Sequence, residues 1–166
     1  MIVRLPDMPI DSKATSAGVT ACLFGTGDWL HGFSRELELR VSRVLVADMR
    51  RSVDPGEAHS LSALNAGMVL HYFGVADIIA VWCGAGGEML YLDQWTFAGY
   101  ALGKYPERMV LGISGDADHP MITGLAQLGD AEIPRCFPVV FEKSMLLAAT
   151  IERCRVLRSG QDGRVL

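Results

Sequence analysis

Two polar, glycine-bearing stretches hold the side chains best suited to chemistry. The first is Gly25-Thr26-Gly27-Asp28, followed by Trp29. Closely spaced glycines let backbone N–H groups approach an anion or a sugar hydroxyl. The stretch is not a Walker loop, because no Gly-Lys-Ser/Thr follows, and Leu30 stands where the last glycine of a GxGxxG fingerprint belongs. A plain tight turn with Asp28 as a helix N-cap accounts for the same residues. The second stretch is Gly84-Ala85-Gly86-Gly87-Glu88, with Asp93 a little further on. Two carboxylates at such a loop can supply a nucleophile and an acid/base for cleavage of a glycosidic bond. The competing roles are a surface charge for Glu88 and a dipole-favoured helix start for Asp93.

Other residues fall near the same rim. Arg50 and Arg51 follow Asp48 at the end of an apolar run and can grip a phosphate or carboxylate bidentately. They can equally pair with Asp54 and Glu57 in a solvated loop. Gly115-Asp116 opens a further polar loop. Trp29, Trp82 and Trp95 all lie beside these segments, where an indole stacks on a nucleobase or simply fills the core. Asp77 opens an apolar run, which suits a structural cap as well as a catalytic carboxylate. Cys22, Cys83, Cys136 and Cys154 form no CxxC pair and have no histidine at zinc-ligand spacing, so buried, uncharged thiols are expected. A reactive thiol at Cys83 is the sharper alternative, with no local histidine to activate it.

The elements that position these residues alternate. The arm 1–17 reads as irregular. Strands are expected at 18–25, 43–48, 76–83, 108–114 and 137–141, from β-branched or apolar runs that stop at Gly, Asp or Ser. Helices are expected from Asp28 to Leu39, then over 61–74, 92–102, 119–129 and 144–157, and 158–166 reads as a flexible tail. A strand–helix alternation predicts an α/β fold: a Rossmann-like (flavodoxin-like) parallel sheet of five strands with helices on both faces. Ligands of such sheets bind outside the strand carboxyl ends, at a topological switch point. The loops 25–28, 48–54, 83–93 and 114–119 all belong there, within a single domain over 18–157.

Composition narrows the partners. The chain has 166 residues, 50% of them hydrophobic and 20% charged, with a net charge of −4. Disorder is excluded, and there is no basic footprint for nucleic acid. No apolar run reaches the about 18 residues that a membrane helix needs. The first residues lack the pattern of a signal peptide, so a cytoplasmic location is expected.

The order of segments resembles the nucleoside 2-deoxyribosyltransferase-like superfamily. LFGTGDWLHGF matches that family's first strand, glycine turn and Trp-bearing helix. VLVADMRRSVD matches a strand ending in a Pro-Arg-Arg-like segment, and LNAGMVLHYFGVADIIAVW a helix running into an Ala-Asp-hydrophobic strand. LDQWTFAGYALGK, RMVLGISGDAD and FPVVFEKSMLLAATIERC continue the series, so the resemblance covers about residues 18–155. It implies a nucleoside or nucleotide ligand, a carboxylate attacking C1′, and transfer of the sugar to another base or to water. It also implies no metal or other cofactor, and a homodimer or larger homo-oligomer whose subunits complete each other's sites. The family's catalytic glutamate, counted from Asp77 or from Gly103-Lys104, falls on Trp95, and its Trp-Glu pair falls on Met68-Val69. A slip of two residues puts Asp93 at the nucleophile position, and Glu88 is a loop alternative. A non-catalytic nucleotide-binding or sensor domain that has lost the glutamate is therefore the second expectation. A third comes from GAGGE, which is faintly similar to the Pro-Gly-Gly loop of phosphoribohydrolases related to cytokinin-activating enzymes.

Overall fold

A computed structural model describes residues 1–4, 18–49, 63–84, 89–114 and 139–162, with the backbone alone at 63–65, 89–93 and 160–162. Among the described residues, six parallel strands are present: β1 (Ile2–Arg4), β2 (Thr20–Gly25), β3 (Arg43–Asp48), β4 (Ile78–Cys83), β5 (Met109–Ile113) and β6 (Val139–Val140). Their spatial order is β1-β3-β2-β4-β5-β6. β2 to β6 thus follow the 2-1-3-4-5 order of flavodoxin-like sheets, and β1 lengthens the edge beside β3. The register is continuous, with Gly25 opposite Asp48, Phe24 opposite Val81, and Trp82 opposite Gly112.

Among the described residues, four α-helices cover the sheet: α1 (Trp29–Glu38), α2 (Ala63–Val75), α3 (Met89–Lys104) and α4 (Lys143–Asp162). The central strands are buried on both faces, so they read as unbroken apolar runs. One core layer joins Phe24, Leu45 and Ile79 to Tyr72 and Phe73 of α2 and to Ala98 and Ala101 of α3. The opposite layer joins Leu23, Val46 and Ile78 to Leu30 and Leu37 of α1 and to Leu146 and Cys154 of α4. Phe24 meets Phe73 edge-on with ring centroids 5.3 Å apart, and Phe97 of α3 closes the cluster.

Three expectations need correction. The sheet has six strands, not five, because Ile2–Arg4 pairs with Val44–Val46 instead of forming an irregular arm. Three residues are too few to show a strand's period, yet they satisfy one edge of β3. The last helix continues to Asp162, past the expected start of the tail at 158. Arg158 helps hold this extension, donating to the carbonyl of Arg40 at 3.0 Å. The third helix begins earlier than expected and reaches Lys104. The expected helix at 119–129 lies outside the described residues.

Candidate functional site

The chain leaves β2 toward β3 on one side, and α2 then carries it across to β4 on the other. The switch point is therefore the gap between the carboxyl ends of β2 and β4. Thr26 follows Gly25 there, and Gly84 follows Cys83. Among the described residues, one side chain spans the gap: the carboxamide of Gln94, on the second turn of α3, fully buried. Its Oε1 accepts the backbone N–H of Gly84 at 3.2 Å, and its Nε2 donates to Thr26 Oγ1 at 2.9 Å. Gln94 thus ties both strand ends to α3 and satisfies polar groups that burial would otherwise leave costly. Sequence reasoning passed it over. Its only signal is a polar residue on the face that also carries Ala98 and Ala101.

The glycine turn is packed against an indole. A Cβ on Gly25 would lie 2.9 Å from Cζ2 of Trp29 and 3.2 Å from the carbonyl oxygen of Trp82. Gly27 has φ near +123°, and a Cβ there would lie 2.8 Å from Trp29 Cδ1. These glycines make room for the Trp29 indole. Its Nε1 donates to the carbonyl of Thr26 at 2.8 Å, and its ring meets Phe33 edge-on at 4.9 Å. Asp28 occupies the N-cap position with helical dihedrals and makes no capping bond through its side chain.

The other two tryptophans pack against the core. Trp82 is only 8% exposed, and its ring lies on the bare face of Gly112, where a Cβ would come within 2.4 Å. Lys143 Nζ stands 5.4 Å from the same ring. Among the described residues the ring of Trp82 is packed, not open. Trp95 is half-buried against the core layer under α2 and α3.

Asp77 lies at the other end of the sheet and makes a structural contact there. It precedes β4 at the amino-terminal edge, a strand's length from the switch point. Its carboxylate accepts the N–H of Thr20 at 2.8 Å, and its own N–H donates to the Thr20 carbonyl at 2.8 Å. It clips the starts of β2 and β4 together.

Burial pushes the thiol of Cys83 up to about 12 and that of Cys154 up to about 11. Cys22 is pushed higher still by the same cause. A thiol so neutral is no nucleophile, so Cys83 is a core residue despite its place at a strand end.

The structure brings Gly25, Thr26, Gly27, Asp28, Trp29 and Gly84 to one edge of the sheet. Asp93 is on α3 one residue before Gln94, but its side chain lies outside the described set. Glu88, Arg50, Arg51, Gly115, Asp116 and Cys136 also lie outside the described residues. Among the described residues, no group of three His, Cys, Asp or Glu side chains is placed to hold a metal, and no helix is long and apolar enough to cross a membrane. No family model, curated protein or solved structure matches the chain.

Proposed function

We propose that the chain receives a nucleoside or nucleotide over the carboxyl ends of β2 and β4 and acts on its N-glycosidic bond, with Asp93 as the nucleophile. The observation that carries this reading is the reach of α3 into the switch point. Gln94 bonds to Thr26 and Gly84 there, and Asp93 is its neighbour in the chain. In the proposed reaction a carboxylate oxygen bonds to C1′ as the C1′–N bond breaks, and the base leaves with that electron pair and takes up a proton. Water or a second base then attacks C1′ and restores the free carboxylate. The proposal includes a cytoplasmic homodimer or larger homo-oligomer.

Gln94 itself favours a second reading, binding without turnover. The group buried between the strand ends is a carboxamide, which cannot attack C1′, and Trp95 is packed against the core. Incubation with a panel of 2′-deoxynucleosides and nucleoside monophosphates, followed by chromatography for released base, separates the two. Release by the wild type and its loss in Asp93→Ala support the enzyme. Thermal stabilisation by a panel member with no release, unchanged by Asp93→Ala, supports the binding protein. Neither release nor stabilisation sinks both. Light scattering tests the oligomer, which a strictly monomeric chain would refute.

A further inference from the structure

The hydrogen bonds of Gln94 have a polarity that can be settled by elimination. The N–H of Gly84 can only donate, so the amide atom facing it, 3.2 Å away, must be the oxygen. The other end of the amide is then –NH2, which can only donate. Thr26 Oγ1, 2.9 Å from it, is obliged to accept. Among the described residues, none accepts the hydroxyl's own hydrogen. Thr26 is only half-buried, so this hydrogen is within reach of a bound molecule.

We propose that Gln94 is a positioning residue that turns Thr26 into a fixed hydrogen-bond donor, so that the subsite between β2 and β4 takes an acceptor oxygen, a carbonyl or phosphoryl oxygen of the ligand. The proposal rests on the reading that this cleft is the ligand site, and it adds which kind of atom the cleft selects. A hydroxyl free to rotate would greet donor and acceptor alike. One locked by a buried amide discriminates, because a donor placed against it leaves two hydrogens facing each other. The start of α1 at Trp29 puts the positive end of a helix at the same edge, which suits an acceptor.

The test has a ligand-free arm and a binding arm. In the free protein, NMR of the Gln94 side-chain amide reads the bond to Thr26. One Nε2 proton should sit downfield in the wild type, keep that position in Thr26→Ser and lose it in Thr26→Val. An amide signal indifferent to Thr26→Val overturns the orientation, whatever binds. In the binding arm, calorimetry uses 2′-deoxyinosine, 2′-deoxyadenosine and their 5′-monophosphates. Preference for deoxyinosine with or without phosphate identifies a base carbonyl as the partner. Preference for the monophosphates whatever the base identifies a phosphoryl oxygen. Either preference should shrink about tenfold in Thr26→Val, the size of one hydrogen bond. Gln94→Glu supplies the readout that a purely structural role would not move. A neutral glutamic acid can still donate to Thr26 and accept from Gly84. An ionised one can only accept, and Thr26 must turn its hydrogen inward. Affinity of Gln94→Glu should therefore fall as pH rises while the wild type stays flat. Equal, pH-independent affinity in both, with Thr26→Val still impaired, refutes the positioning role and leaves the ligand site standing. If no probe binds the wild type, the ligand reading fails, and the amide signal still decides the orientation.

Discussion

Adding one methyl group at Gly112 tests how the sheet seats Trp82 beside the switch point. Gly112 is opposite Trp82 in the parallel register of β4 and β5. A Cβ at Gly112 would lie 2.4 Å from Cε3 and 2.9 Å from Cζ3 of the ring, and 3.3 Å from the carbonyl oxygen of Val81. Carbon atoms pack best at about 3.5–4.0 Å, so the ring must retreat by roughly 1 Å or more. It has little room, being 8% exposed with Lys143 over it. Overpacking of this kind costs about 1–3 kcal/mol. Alanine returns about 0.5–1 kcal/mol through its lower backbone entropy in the unfolded chain. The net expectation for Gly112→Ala is a loss of about 1–2 kcal/mol, or roughly 2–8 °C in Tm for a chain of this size. Urea unfolding followed by far-UV circular dichroism measures it without relying on tryptophan fluorescence. Trp82→Leu supplies the control, because it empties the space that the new methyl needs. In that background Gly112→Ala should cost almost nothing, a coupling that a double-mutant cycle reads directly. A Gly112→Ala protein as stable as the wild type, or a loss that persists undiminished in the Trp82→Leu background, refutes the packing argument.

Two further outcomes follow from the opposite edge and from the core. Asp77→Ala removes the acceptor for the Thr20 N–H and should cost about 1.5–3 kcal/mol, the worth of a hydrogen bond to a charged group. Ligand affinity at the far edge should be unchanged, and a selective loss of activity in a fully folded Asp77→Ala protein would refute this purely structural role. The buried thiols predict an alkaline limit. Unfolded cysteines ionise near the ordinary value of 9.0, whereas Cys83 resists until about 12 because burial disfavours its thiolate. Its folded pKa lies above its unfolded one, so its contribution to stability is complete below about pH 9 and is lost as pH rises toward 12. Chemical denaturation at about pH 8, 9.5 and 10.5 should show that decline. Iodoacetamide at about pH 8 should label Cys22, Cys83 and Cys154 only after unfolding. Rapid labelling of Cys83 in the folded chain would contradict its burial.

Much of the fold was legible because its central strands leave a simple mark. In a parallel sheet covered on both faces, TACLFG, RVLVAD and IIAVWC have no solvent side to show, so each reads as one apolar run. The edges were less legible. Val139–Val140 and Ile2–Arg4 are too short for periodicity, and what makes Ile2–Arg4 a strand is the unpaired side of β3, a partner distant in sequence. Asp77 was ambiguous for a similar reason. An Asp at a strand start looks the same whether it faces a ligand or clips a neighbouring strand, and only the Thr20 N–H at 2.8 Å decides it.

The switch point of the sheet could be read and the group that fills it could not, for a physical reason that Gln94 makes plain. Sequence reasoning finds chemistry by residue type, so it weighs carboxylates, glycines and tryptophans. Trp29 and Trp82 satisfy that search, yet the glycines beside them serve the indoles: Gly25 and Gly27 clear space for Trp29, and Gly112 for Trp82. Gln94 carries no charge and sits in no motif. Its importance comes from burial, which makes each of its hydrogen bonds obligatory, and from topology, which sets Thr26 and Gly84 at either end of it although they are 68 and 10 residues away in sequence. Neither property is local. Polar residues on the buried face of a crossover helix, directly over a switch point, are therefore the place to look for the group that organises such a cleft. In this chain that group is an amide with one forced orientation, its oxygen toward the Gly84 N–H and its nitrogen toward Thr26.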